Sequence, residues 1–439
     1  MPTNVLIPRK QEKVLIKRRK LLLKCFWIGI VSGLMAISFR LSLEAAEKWR
    51  NSFLLSISSM DPPFLVIPSI LCGLTTILVI YVTLKIEPDS SGSGIPHLKG
   101  YLEGFNRFRA WRILLVKFIG GIVGIGSCLA LGREGPTVQM GAAIGKISGD
   151  YVSSNQTEHK ILVSAGAGAG LSAAFNAPLA GVFFVLEELY KDFNQATLVA
   201  AFVSCITADI VCHVMIGTTP VLKVDLHTAP EINLLPLLLV FGIFIGFLGL
   251  LFNKLLLASS MHTQHFSLSK KILLGGLVGI VLGGTGLIFP ECLGTGAELT
   301  MNILNHTMGI DKLALFFFLR FVFTIFSYNT GAPGGIFTPM LLLGVLSGTF
   351  FGYLTQLVYP NLTDLSVWGI LGMAGYFSAV VRAPITGTIL ILEMTSSYEL
   401  LLPLMIVSIV SYSIPEFFSN KPIYEALLQK DLSKRTRPQ

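Results

Sequence analysis

Long apolar runs, broken by short segments of glycine, proline and charge, dominate the chain. The longest occupy residues 25–43, 64–84, 111–131, 198–216, 234–257 and 271–289. None alternates polar with apolar positions, so a closed β-barrel is excluded and each run predicts a helix. The longer runs reach the roughly 20 residues that cross a bilayer. Other apolar stretches are shorter or interrupted. Residues 161–189 break at Asn176-Ala177-Pro178 and end in Glu187-Glu188, 331–348 is glycine-rich, and 313–326, 367–381, 383–394 and 401–413 are short. Non-helical backbone at membrane depth is tolerated only where protein or a water-filled cavity surrounds it, so these breaks mark a pathway. The expected fold is an all-α polytopic membrane protein with broken and re-entrant helices.

Composition removes the soluble alternatives. Only 13% of the 439 residues are charged, against about 25% in a soluble domain. The net charge of +8 is no nucleic-acid signal, because the basic residues cluster at the two ends, from Arg9 to Lys20 and from Lys430 to Arg437. That bias places both termini in the cytoplasm, with binding to anionic lipid a weaker addition. The front of the chain resembles a long signal peptide, but its basic region is too long and the membrane pattern continues, so an uncleaved first helix is expected. The six cysteines form no C-x-x-C pair and read as small buried hydrophobes. The expected organisation is a basic tail at 1–20, a first membrane repeat at 21–220 and a connecting loop at 221–232. A second repeat at 233–418 and a short cytoplasmic tail at 419–439 follow, leaving no room for a sizeable soluble domain.

The two halves carry the same pattern. Gly132, Pro136, Gly141 and Gly145 match Gly335, Pro339, Gly344 and Gly348 at an offset of 203. Downstream, Ser172-Ala173, Ala177-Pro178, Gly181 and Glu187 match Ser378-Ala379, Ala383-Pro384, Gly387 and Glu393 at an offset of 206. Any one pair of small residues is weak; register kept across both blocks predicts an internal repeat. Matching broken segments in two halves point to a transport site at the repeat interface. An odd number of crossings per half inverts the second repeat.

Chemistry concentrates at the breaks. Gly132-Arg133-Glu134-Gly135-Pro136 sets two charges at membrane depth, where an ionisable side chain is costly. Pro136 suits the first position of a helix, which puts Glu134 at that helix's mouth, against free N–H groups and the positive dipole end. Gly92-Ser93-Gly94-Ile95-Pro96 offers a hydroxyl between glycines that let an ion approach; alone, it is equally a polar turn. Gly335-Ile336-Phe337-Thr338-Pro339 is uncharged, which frees the N–H groups of Ile336 and Phe337 for an anion, or it is a packing seam. Tyr424 either reaches an ion or sits at the interface. Glu187 and Glu188 do not share a helix face. The match of Glu187 to Glu393 implies a structural role for that pair and leaves Glu188 as the acid of interest. Arg133 is expected in a structural ion pair with another acid.

Together these motifs resemble the CLC chloride channel and transporter family. The signatures around Ser93, Glu134 and Ile336-Phe337 stand in the family's order, Asn176-Ala177-Pro178-Leu179-Ala180-Gly181 and Tyr424 also fit, and the likeness covers roughly residues 20–430. The resemblance implies an inverted two-repeat helical fold working as a homodimer, with one ion pathway per subunit. It implies chloride held by the hydroxyls of Ser93 and Tyr424 and the N–H groups of Ile336 and Phe337. It implies Glu134 as the gating glutamate and Glu188 as the internal acid relaying protons. Both acids favour a chloride/proton exchanger needing no metal or nucleotide, with a passive voltage- or pH-gated chloride channel as the alternative. Ser93 looks like the chloride type, since proline there suggests nitrate, and the fluoride-exporting branch usually lacks this pattern. Thr338 departs from the family's common alanine but only flanks the site. Many eukaryotic relatives append cytoplasmic nucleotide-binding modules; their absence looks prokaryotic and suggests the inner membrane.

An intramembrane enzyme is the rival class. The chain has neither H-E-x-x-H nor G-x-S-x-G. Of its seven histidines only His262 and His265 are close, and they read as a solvated loop. No enzymatic activity is expected.

Overall fold

The computed structural model describes residues 9–58, 65–191, 193–218, 221–224, 234–359 and 364–436. Most of the connecting loop expected at 221–232, and the first eight residues of the tail, lie outside them. The first half contains α1 (Arg9–Ser58), α2 (Val66–Ile86), α3 (Ile95–Leu102), α4 (Ala110–Ser127), α5 (Glu134–Val152), α6 (Gln156–Phe175), α7 (Pro178–Phe184) and α8 (Gln195–Ile216). The second contains α9 (Leu235–Thr263), α10 (Leu268–Thr285), α11 (Ala297–Asn305), α12 (Ile310–Asn329), α13 (Phe337–Gln356), α14 (Leu365–Val381), α15 (Pro384–Thr395) and α16 (Leu401–Phe417), and α17 (Ile423–Thr436) ends the described chain. Among the described residues, eight helical stretches are long and apolar enough to cross a membrane. Apolar side chains such as Leu74 and Leu78 on α2 and Leu273 and Leu277 on α10 are exposed, as suits contact with lipid. The chain is an integral membrane protein.

Helices α1–α8 and α9–α16 pair in order, and the short members match as well as the long ones. Before α3, a 3-10 turn at Pro88–Ser90 leads to Gly92 (φ 61°) and Gly94 (φ 80°); before α11, one at Pro290–Cys292 leads to Gly294 (φ 61°) and Gly296 (φ 78°). Left-handed residues also recur: Asn176 and Arg382 end α6 and α14, and Lys191 and Ser396 follow α7 and α15. Gly132 and Gly335, equivalent positions of the two halves, exchange N–H···O bonds of 2.7 and 2.8 Å in antiparallel sense. Equivalent segments that meet antiparallel are related by a two-fold axis between them, so the repeats are inverted.

The glycine matches have a packing reason. A Cβ at Gly141 would lie 2.2 Å from the Gly166 carbonyl, and one at Gly348 would lie 2.1 Å from the Trp368 carbonyl. The α5–α6 and α13–α14 pairs thus close to backbone contact along small-residue seams. The six cysteines are buried and unbridged.

Three elements differ from expectation. Helix α1 extends well beyond residues 25–43 at both ends, and past Leu43 it is held by the protein partners of Glu44, Glu47 and Arg50. The apolar run at 111–131 is helical only to Ser127. The C-terminal tail is the docked helix α17, packed on α3 and α9, with Tyr424 and Leu427 buried.

Glu187 and Glu393 account for their match. Glu393 accepts from the N–H groups of Leu179 and Ala180 at 3.0 and 2.8 Å, capping α7. Glu187 accepts from those of Ile385 and Thr386 at 3.1 and 2.7 Å, capping α15. Each repeat thus supplies a carboxylate to the other's short helix. Replacing Glu393 with alanine should cost about 1–2 kcal/mol, the usual scale for a lost N-cap, read as a lower melting temperature in detergent and smaller for Glu393→Gln. An unchanged melting temperature would show that the cap carries no stability.

Candidate functional site

The breaks meet at the repeat interface. Gly92 N–H donates to the Ala332 carbonyl at 3.1 Å and Gly334 N–H to the Gly92 carbonyl at 3.0 Å. A Cβ on Gly135 would fall 2.8 Å from Ser93 Cβ, and one on Gly335 would fall 3.1 Å from Gly135 N. The loops before α3, α5 and α13 are therefore in mutual contact, and Ser93, Glu134, Ile336, Phe337 and Tyr424 are all buried. Gly94 needs both its left-handed φ and its lack of a side chain, since a Cβ there would sit 2.1 Å from Gln139 Oε1.

Glu134 is the first residue of α5, with Pro136 third rather than first. Both lie in the turn whose N–H groups lack intrahelical acceptors, so the expected geometry survives the shift. The Glu134 carboxylate turns onto the other repeat. It accepts a short hydrogen bond from Thr338 Oγ1, in the first turn of α13. Thr338 is thus a direct partner of the acid, not a bystander. Arg133 Nε lies 3.6 Å from Glu134 and its Nη1 3.1 Å from Glu44, so Arg133 does pair with another acid. Ile336 and Phe337 open α13, where their N–H groups have no intrahelical acceptor. The Phe337 ring is packed between Phe377 and Phe175 at centroid distances of 4.6 and 5.1 Å.

Tyr424 Oη is buried without a hydrogen-bond partner among the described residues, and an unpaired buried hydroxyl costs about 1–3 kcal/mol. Ser93 Oγ accepts from Ile95 N–H at 3.4 Å. Tyr328, at the end of α12, adds a hydroxyl next to Gly92 and Ser93. It sits between Ser327 and Asn329, just past the apolar run at 313–326, and no local signal marked it. A cavity of about 700 Å³ opens onto this loop, walled by Gly92, Gly94, His97, Tyr328, Lys271 and Lys430 among others.

Glu188 lies in a π-helical turn, Val185–Tyr190, that continues α7. The turn separates the two acids: Glu187 goes to α15, and Glu188 points to Lys99 Nζ at 2.6 Å, both side chains almost fully buried. Lys99 belongs to α3, which sequence reasoning did not delimit because it is only eight residues long.

The second repeat holds an equivalent of the Ser93 loop with an anion already in place. Lys117 donates to the carbonyls of Ser90 and Gly92 at 2.8 and 2.6 Å; its counterpart Arg320 donates to those of Cys292, Gly294 and Thr295 at 2.9, 3.0 and 3.0 Å. In the position of Ser93 stands Thr295, whose N–H and hydroxyl donate to the Glu47 carboxylate at 2.8 and 3.1 Å. No carboxylate is seated on Ser93 among the described residues. The same loop geometry therefore presents donors that suit a negative charge.

A family model described as voltage gated chloride channel matches residues 75–416. The H(+)/Cl(-) exchange transporter ClcA of Salmonella paratyphi B is 36% identical over 444 residues, covering 98% of this chain and 93% of its own. That of Salmonella arizonae is 37% identical over 428 residues, covering 95% and 90%. The crystal structure of a slow cyanobacterial Cl-/H+ antiporter superposes with a TM-score of 0.91 at 29% identity, covering 95% of this chain and 99% of that one.

The seated Glu47 carboxylate leads to a test. Glu47→Ala should lower the melting temperature, and formate or chloride should restore part of the loss in the variant but not raise the wild type equally. Destabilisation indifferent to added anion would mean that the loop has no preference for negative charge.

Proposed function

Because the chain belongs to the voltage gated chloride channel family, we propose that it exchanges chloride for protons, with Glu134 as the gate and Glu188 as the inner proton site. The observation that carries this reading is the Glu134 carboxylate bonded to the Thr338 hydroxyl in the first turn of α13. A carboxylate there occupies ground suited to a transported anion, so acid and chloride compete. Protonation removes the acid's charge and its claim on the donors. The side chain can then leave, and chloride takes its place. One carboxylate thereby links two ions, without metal or nucleotide.

The Ser93 hydroxyl, the unpartnered Tyr424 hydroxyl and the N–H groups of Ile336 and Phe337 complete the proposed chloride path, with the cavity beside Gly92 and Gly94 as one mouth. The basic ends of the chain support placing both termini, and that mouth, on the cytoplasmic side. Two copies, each with its own pathway, and residence in a prokaryotic inner membrane rest on the family and its bacterial relatives.

Glu134→Gln keeps the size of the side chain but cannot carry a proton. In liposomes it should pass chloride while proton movement driven by a chloride gradient falls to background; surviving proton transport would remove Glu134 from the gate. Ser93→Pro tests selectivity separately. It should raise nitrate flux relative to chloride, and an unaltered ratio would take Ser93 out of ion recognition.

A further inference from the structure

The inner acid is not alone. Glu188 and Lys99 form an ion pair of 2.6 Å with side chains 3% and 2% exposed. Removing two charges from water costs several kcal/mol per ion, so a buried pair is weak as a stabilising device and holds only while both partners stay charged. Lys99 therefore bears directly on when Glu188 can be neutral.

The surroundings form a graded line of alternating charge. Lys191, at the end of Glu188's own turn, pairs with Glu425 of α17 at 2.8 Å, and its side chain is half exposed. Lys191 also feels Glu188 and Glu103. From Lys99 the order is cation, acid, cation, acid, the first two buried and the last two reaching the surface. Of the other groups, Glu187 is committed to α15, α8 brings the Cys205 thiol against Gly168 and Gly181, and α6 offers its glycine–alanine stretch. Lys99 is the one cation in hydrogen-bond contact with Glu188 among the described residues. Its helix, α3, starts two residues after Ser93, so the same short element bears on both the proposed chloride site and the proposed proton site.

We propose that Lys99 is the positioning residue of the inner proton site: it holds Glu188 ionised, and Glu188 takes a proton only as this pair opens. This rests on the reading of Glu188 as the inner site. The sign follows from charge. A cation in contact favours the ionised acid, so proton loading needs lower pH with Lys99 present than without it. An opposite charge this close moves a carboxyl group by about 1–3 pH units. Proton-coupled flux in the native chain is therefore favoured by acid, and neutralising Lys99 moves it toward alkaline pH.

The test uses the full chain in liposomes, with pH varied equally on both sides and proton and chloride flux recorded together. Lys99→Gln keeps a hydrogen-bond donor and removes the charge. It should raise the pH of half-maximal proton flux by about one unit or more, and Lys99→Arg should keep the native value. Lys99→Met provides a second neutral variant should the first fold poorly. In a Glu188→Gln background, neutralising Lys99 should leave the pH dependence of chloride flux unmoved, which a purely structural role would not produce. Equal midpoints for native, Lys99→Gln and Lys99→Met protein, with proton flux lost in Glu188→Gln, would overturn the proposal while sparing the inner site. Proton flux that survives Glu188→Gln would overturn both.

Discussion

Helix beginnings inside a membrane need hydrogen-bond acceptors, and negative charge serves them best. Each exposes N–H groups with no intrahelical acceptor, and lipid supplies none. Most of the breaks here answer that need with a carboxylate from elsewhere in the chain. Glu393 serves α7, Glu187 serves α15, Glu47 serves the loop before α11, and Glu134 serves α13. The loop before α3, carrying Ser93, has no such carboxylate among the described residues. It faces a cavity. A single physical requirement thus has one solution in architecture, a fixed internal acid, and another in transport, a mobile anion.

The inverted repeat makes the two solutions comparable. Lys117 and Arg320 brace equivalent loops from equivalent helices, and Gly92 and Gly294 have the same φ. What differs is the occupant. Glu47 comes from α1 and ties the C-terminal part of that helix to the second repeat, so its acid is structural. Glu134 sits at a helix start that its repeat counterpart, at Phe337, leaves uncharged. The acid is thus an addition to a scaffold that already suits anions, and its charge is the variable part.

Much of the fold was legible in the sequence because hydrophobic run length and glycine–proline punctuation carry it. The spans, the break at Asn176-Ala177-Pro178, the repeat and the Glu187–Glu393 correspondence all follow from local pattern. The equivalence of Gly92-Ser93-Gly94 with Gly294-Thr295-Gly296 went unread, since the flanking residues diverge; the shared φ angles and the matching bonds of Lys117 and Arg320 reveal it. The candidate site was legible as motifs but not as contacts. Lys99, Lys117 and Tyr328 sit on helix faces where a lone polar residue looks unremarkable, and their partners lie 25 to 89 residues away or across the repeat. Tyr424 was expected in a tail. Burial of one side of α17 against α3 and α9 makes that tail part of the membrane domain.

The central claim is that one carboxylate at an anion site couples two ions. The most direct measurement follows proton and chloride movement together in liposomes holding the native chain, with a chloride gradient imposed and no initial pH difference. Chloride running down its gradient should drive protons in the opposite direction and build a pH difference. Chloride flux that leaves the pH unchanged, with a reversal potential indifferent to pH, would make the protein a passive conductor and contradict the account.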